Sequence, residues 1–152
     1  MGPRKDPARL ARRYFEDGFN CAESLLLAVT ESRGKRPACA PRIATAFGGG
    51  MANTNQACGA LTGGVMAIGI LLGRDGPDDS RKETYAAAQA YTEAFRSAFG
   101  DTGCTALLGV DLGTPEGKKA FDEQNLHERC LDIVGRAAAL LDEILPLSLI
   151  HI

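Results

Sequence analysis

Four cysteines stand where a helix is about to begin. Cys58 lies in the run Asn55-Gln56-Ala57-Cys58-Gly59-Ala60-Leu61-Thr62-Gly63-Gly64, at the mouth of a glycine-punctuated apolar stretch. Cys21 follows Asn20, and Glu23 lies three residues beyond that asparagine, the signature of a capping box. Cys104 falls three residues after Asp101, and Cys130 follows an Asn125-x-x-Glu128 pair. A helix N-terminus offers unpaired N–H groups and about half a positive charge, and both favour a thiolate over a thiol. Thiolates attack disulfides and bind metals. The fifth cysteine, Cys39, lacks such a context and reads as a small residue without chemistry.

The elements that must carry these cysteines are helices. Strand-like alternation and β-branched clusters are nearly absent, whereas helix punctuation is frequent. The pattern predicts a helix from about Pro7 to Asp17, and a second from Asn20 to near Gly34 with Leu25, Leu26 and Val29 as its apolar stripe. A third begins at Pro41 and stops at Gly48-Gly49-Gly50, and a fourth spans Gln56 to Leu72. A fifth opens at Ser80-x-x-Glu83 and presents Tyr85, Ala88, Thr92, Phe95 and Phe99 on one face. A short apolar turn from Cys104 to Leu108 precedes a helix starting at Thr114-Pro115-Glu116 and a last one from Leu126 to Leu145. The expected fold is an all-α, single-domain bundle of about six to seven helices.

The chain of 152 residues is long enough for one domain with a proper core. A net charge of -2 gives no general drive toward nucleic acid or an anionic membrane. Arg4, Lys5, Arg9, Arg12 and Arg13 form a local basic stretch, read as the solvated face of the first helix. The first residues are charged throughout, unlike a secretory signal, and the apolar run Ala57 to Leu72 is shorter than a membrane span requires. Five cysteines, none spaced C-x-x-C, fit a secreted disulfide framework poorly and a reducing cytoplasm well. The tail Leu147-Ser148-Leu149-Ile150-His151-Ile152 matches the translation of a library adapter. It is expected to be a non-native addition to a domain comprising residues 1–146.

Gly59, Gly63, Gly64, Gly69 and Gly73 would each cost about 1 kcal/mol relative to alanine inside the fourth helix. Two explanations stand side by side: close packing of neighbouring helices, or close approach of a cofactor. The same apolar helix leaves a homodimer open.

Asn20-Cys21-Ala22, Phe47-Gly48-Gly49-Gly50, Cys58-Gly59-Ala60-Leu61-Thr62-Gly63, Cys104 with Gly109-Val110-Asp111-Leu112, Pro115-Glu116-Gly117 and Cys130 together resemble the C_GCAxxG_C_C family of redox-active proteins. These are small bacterial and archaeal proteins named for four cysteines and a central glycine motif. The resemblance runs from about Asp6 to Leu145 and implies that Cys21, Cys58, Cys104 and Cys130 are the redox-active set. The order Cys58-Gly59-Ala60 departs from the Gly-Cys-Ala of the family's name, and Cys39 falls outside the pattern. A similar domain in split-Soret cytochromes is associated with an iron–sulfur centre, although this chain has no C-x-x-C-H for haem attachment.

Four cysteines from four helices can hold an iron–sulfur cluster or another metal, or work as reversible dithiol pairs. The first reading, electron transfer through a cluster or metal bound by Cys21, Cys58, Cys104 and Cys130, is preferred. In it Gly59, Gly63 and Gly64 give a cofactor close backbone access. The alternatives are a metal-free thiol–disulfide protein and a helical accessory module serving a transporter or redox enzyme. His127, three residues before Cys130, is a candidate extra ligand or proton donor but more simply a surface histidine. Asp111 and Thr62 border the motif and read as a turn residue and a packed hydroxyl. No feature identifies the redox partner.

Overall fold

The run Leu25-Leu26-Leu27-Ala28-Val29 has no polar face, and a helix apolar on every side has to be surrounded. In the computed structural model, which describes residues 3–146, this run is the middle of α2 (Cys21–Ser32). Every one of those side chains is buried. The stripe expected at Leu25, Leu26 and Val29 is therefore part of a run enclosed on every side. Around it lie α1 (Pro7–Glu16), α4 (Gly59–Leu72) and α8 (His127–Ile144).

Each surrounding helix turns one face inward. Pro7, Ala11 and Phe15 recur every four residues on α1, and Ile133, Val134, Ala137, Ala138 and Leu141 form the inner side of α8. Outside these, α5 (Lys82–Phe99) packs against α4 and α8 through Tyr91 and Phe95. Tyr85, expected on the same buried face, is instead exposed beneath the Arg81 guanidinium. The expected Ser80–Glu83 box forms only in part: the Ser80 hydroxyl accepts the Lys82 N–H at 3.2 Å, with no return bond from Glu83, and α5 starts at Lys82. At the far end of the core, the fully buried Arg33 donates to the Pro146 carbonyl at 2.7 Å and pairs with Asp142 at 2.8 Å. Arg4 pairs with the same carboxylate, so the end of α2 is tied to the end of α8 and to the N-terminal segment.

Three short pieces complete the fold. Arg42–Phe47 is a 3-10 helix rather than the α-helix expected from Pro41, and α3 (Gly48–Met51) is a four-residue turn. Then α6 (Cys104–Leu108) turns the expected apolar turn into a helix, and α7 (Pro115–Glu123) starts where Thr114 accepts from the Gly117 N–H. The described residues thus hold eight α-helices and no strand. Six of them answer to expected helices, the expected third is the 3-10 turn, and the short α3 and α6 are additional. No helix among the described residues is long and apolar enough to cross a membrane. The suspected tail, residues 147–152, lies outside the described residues.

Candidate functional site

Cys21 is the first residue of α2, and its N-terminus is built as the sequence predicts. The Asn20 side chain accepts the Glu23 N–H, and the Glu23 carboxylate accepts the Asn20 N–H, each at 2.9 Å. The remaining groups of both residues hold Thr45: Asn20 donates to its carbonyl and Glu23 accepts from its hydroxyl. The 3-10 helix is thereby pinned to the mouth of α2. The Cys58 thiol first, then the neighbouring N–H groups of Gly49, Ala22 and Cys21 itself, favour a thiolate at Cys21. These donors outweigh burial and bring Cys21 down to about 7.

Two further cysteines arrive on one clamp. Cys58 caps α4 and Cys104 opens α6, and their approaches are joined antiparallel at Ala57 and Gly103. Cys58 N–H donates to the Thr102 carbonyl at 2.7 Å, and Cys104 N–H to the Gln56 carbonyl at 2.9 Å. Both N–H groups are spent on the backbone. Cys130 is the fourth residue of α8, half-buried on its inner side.

A cavity of about 150 Å³ collects all four. Its wall includes Cys21, Cys58, Cys104 and Cys130, and is completed by Phe15, Leu107, Leu108, Leu112, Phe121, Ile133 and Val134, with Asn20, Gly49 and Asn53. Cys39 is exposed and elsewhere.

The electrostatics correct one expectation. Of the four sulfurs only Cys21 is lowered. Cys58 is raised well above its usual range, first by its hydrogen bond to Cys21 and then by burial. Burial, with repulsion from Cys21, pushes Cys104 up to about 11 and Cys130 up to about 12. Asp101 spends its carboxylate on the N–H groups of Thr102 and Gly103, one turn short of α6. Asn125 adopts a left-handed φ of 52° and caps nothing, while α8 starts from Leu126 without a side-chain cap. The shared N-terminal context therefore yields one thiolate site and three thiol sites.

Three glycines of α4 are packing positions, whereas Gly69 borders open space. A Cβ on Gly59 would meet the Cys21 sulfur and the Ala22 N–H, and one on Gly63 the Ala22 backbone. At Gly64 it would strike the ring of Tyr91, whose hydroxyl donates to the Ala60 carbonyl at 2.9 Å. Helix α2 on one side and α5 on the other thus occupy the space these three residues leave. His127 is exposed and stacks on Phe15, with ring centroids 4.6 Å apart. Asp111 accepts from Gly113 N–H as a turn residue, and Thr62 bonds back to carbonyls of its own helix.

Sequence reasoning missed the segment facing Cys21. Gly49, Gly50, Met51, Ala52 and Asn53 all have positive φ, between 53° and 69°, so the chain makes a left-handed turn along the cavity. The signal was present in residue types that tolerate this region: the paired glycines and the asparagines at 53 and 55.

Among the described residues, no group of three or more His, Cys, Asp or Glu side chains is gathered tightly enough to hold a single metal ion. A cluster makes a different demand, since its cysteine ligands stand around a core of several atoms. Four cysteines line one cavity, and cysteine is the ligand type that such clusters take.

An all-α domain with four cysteines at one cavity defines a class of small sulfur-site proteins. Residues 19–144 match the family described as "Putative redox-active protein (C_GCAxxG_C_C)", and the chain belongs to that family. Neither a curated protein nor a solved structure matches it.

Proposed function

We propose that this protein carries electrons on an iron–sulfur cluster, or a related metal centre, held by Cys21, Cys58, Cys104 and Cys130. The observation that carries this reading is the meeting of four cysteines from four elements at one cavity. When bound, such a centre takes up and gives back an electron. Cys21 is ready as a thiolate near neutral pH, whereas Cys58, Cys104 and Cys130 release protons on ligation. Four thiolates in an apolar cavity would repel one another, and bound iron would supply the positive charge that lets them coexist. Phe15, Leu107, Leu108, Ile133 and Val134 keep water from the sulfurs, which raises the weight of each N–H donor in setting the potential. Gly59, Gly63 and Gly64 serve the site by letting α2 and Tyr91 close around it. Five cysteines without C-x-x-C spacing support a reducing cytoplasm as its setting.

A second reading is favoured by the Cys58 thiol lying beside Cys21 on the wall of the same cavity and lowering it. Metal-free, this pair gives up two electrons and two protons to form one disulfide, and regains them on reduction. Anaerobic purification with an absorption spectrum and iron and sulfide analysis tests the first reading. Visible absorption with iron and sulfide supports the cluster. A colourless, iron-free protein that loses two thiols on oxidation overturns it in favour of the dithiol.

A further inference from the structure

Residues 110–124 are held together by their own bonds and only lightly attached to the rest of the molecule. The Asp111 carbonyl accepts from both the N–H and the hydroxyl of Thr114, and Asp111 Oδ1 accepts the Gly113 N–H at 2.8 Å. The Thr114 hydroxyl in turn accepts the Gly117 N–H at 2.9 Å. Packing between the loop and α7 is so close that a Cβ on Gly117 would collide with the Asp111 carbonyl. Loop and helix therefore form one stiff piece.

Among the described residues, every hydrogen bond and ion pair made by 110–124 stays within 110–126. Helix α7 packs extensively against no other helix, and most of its residues are exposed. The hydrophobic core described above includes no residue of 110–124. Yet Leu112 and Phe121 stand in the wall of the four-cysteine cavity. Much of the remaining wall belongs to α1, α2, α6 and α8, whose inner faces are core.

Both ends of the piece are built as pivots. Gly109, which ends α6, has a φ of 75°, and a Cβ there would meet nothing within 4 Å. Asn125, just beyond α7, has a φ of 52°. Hinges are a few residues at element ends that absorb a change in backbone angles.

We infer that residues 110–124 are a lid on the four-cysteine cavity, pivoting at Gly109 and Asn125, that withdraws Leu112 and Phe121 to open the sulfurs to solvent. The inference rests on the reading of that cavity as the working site. With so few apolar contacts and no hydrogen bond to the body among the described residues, opening costs far less than unfolding. Closed, the lid keeps water from the sulfurs. Open, it gives the ions of the proposed centre a way in.

Two measurements on the full-length chain test this. In hydrogen exchange read by mass spectrometry, the 110–124 amides should open roughly a hundredfold more often than those of α2, and low urea should leave that opening unchanged, since it exposes little surface. Protection equal to that of α2, with the same urea dependence, overturns the inference. The second measurement is maleimide labelling of the buried Cys58 and Cys104 in reduced protein after chelation of any metal, with exposed Cys39 as the internal reference. Gly113→Ala would set a Cβ 2.8 Å from the Asn53 carbonyl oxygen, wedging the lid outward without removing any atom of the wall. Labelling of both cysteines should become roughly tenfold faster or more. Lys119→Ala, on the outer side of α7, should leave it at the wild-type rate. A Gly113→Ala protein that is folded by circular dichroism and Tm, yet labels as wild type does, overturns the inference. Should that variant fail to fold, exchange in the wild type decides. Iron and sulfide content after anaerobic purification is a separate readout. A lid that opens over an iron-free chain supports this inference and sinks the cluster, while bound iron beneath a segment that never opens locally does the reverse.

Discussion

Cys21 and Cys130 follow the same four-residue signature and end in opposite chemical states. Asn20-x-x-Glu23 closes a reciprocal cap, leaves Cys21 in the first turn, and surrounds its sulfur with donors that bring it to about 7. Asn125-x-x-Glu128 closes nothing. Asn125 is used for its tolerance of a left-handed φ in the turn from α7, and Cys130 sits further along α8, where burial pushes it to about 12. A capping box depends on the asparagine having extended backbone, and that is decided by the direction from which the chain enters the helix. At α2 the chain enters beside Thr45 and the 3-10 helix, which bind the same two side chains.

The largest test of this contrast is removal of each sulfur. Cys21→Ser should abolish bound iron. If Cys130 is the fourth ligand, Cys130→Ser should do the same, measured as iron per folded chain. Retention of more than half the iron in Cys130→Ser, with loss in Cys21→Ser, would reduce the ligand set to three.

Next in size is the difference in thiol reactivity. In metal-free protein, Cys21 alkylation by iodoacetamide should be half-maximal near pH 7, while Cys130 stays protected at pH 8, as read by peptide mass spectrometry. Stability carries the same signature. An unfolded thiol titrates near 8.5, so the depressed Cys21 contributes stability above that pH, lost as pH falls through about 7. Cys104 and Cys130 work in the other direction, and their contribution is lost as pH rises from about 8.5 toward 11 and 12. Urea denaturation across pH 6 to 10 checks both signs.

Gly63→Ala should cost about 1–3 kcal/mol, because its Cβ would enter the Ala22 backbone next to Cys21 and neither helix can give way alone. A shift of the denaturation midpoint below that range would mean α2 and α4 separate easily. Smallest is the pair of asparagine variants. Asn20→Ala should lose about 1 kcal/mol with its cap, whereas Asn125→Gly, which removes no cap and suits the positive φ, should be neutral or slightly stabilising. Equal losses in the two would erase the contrast between them.

What was legible in the sequence is what local physics decides. Asn20 and Glu23, Thr114 with Pro115, and the glycines flanking helices placed most of the helices within a few residues. The four cysteines that meet at the cavity were singled out from their context. What was not legible depends on distant partners. Tyr91 is buried because Gly64, on another helix, leaves a socket for its ring, and nothing near Tyr91 announces that. The raised state of Cys58, Cys104 and Cys130 comes from burial and from Cys21, neither of which a first-turn position reveals. The left-handed turn was hidden because three glycines read equally well as the end of a helix.

The clamp at Ala57 and Gly103 has an architectural consequence. Cys58 and Cys104 stand at the two feet of the α4–α5 hairpin, and the feet are fastened to each other by backbone bonds. The other end of the hairpin, the segment 73–81, is a surface connection remote from the fastening. Added chain length there raises closure entropy only slowly. That segment is accordingly the natural place to graft a reporter or a second domain, since the sulfurs are registered at the base of the hairpin and are indifferent to what is attached to its tip.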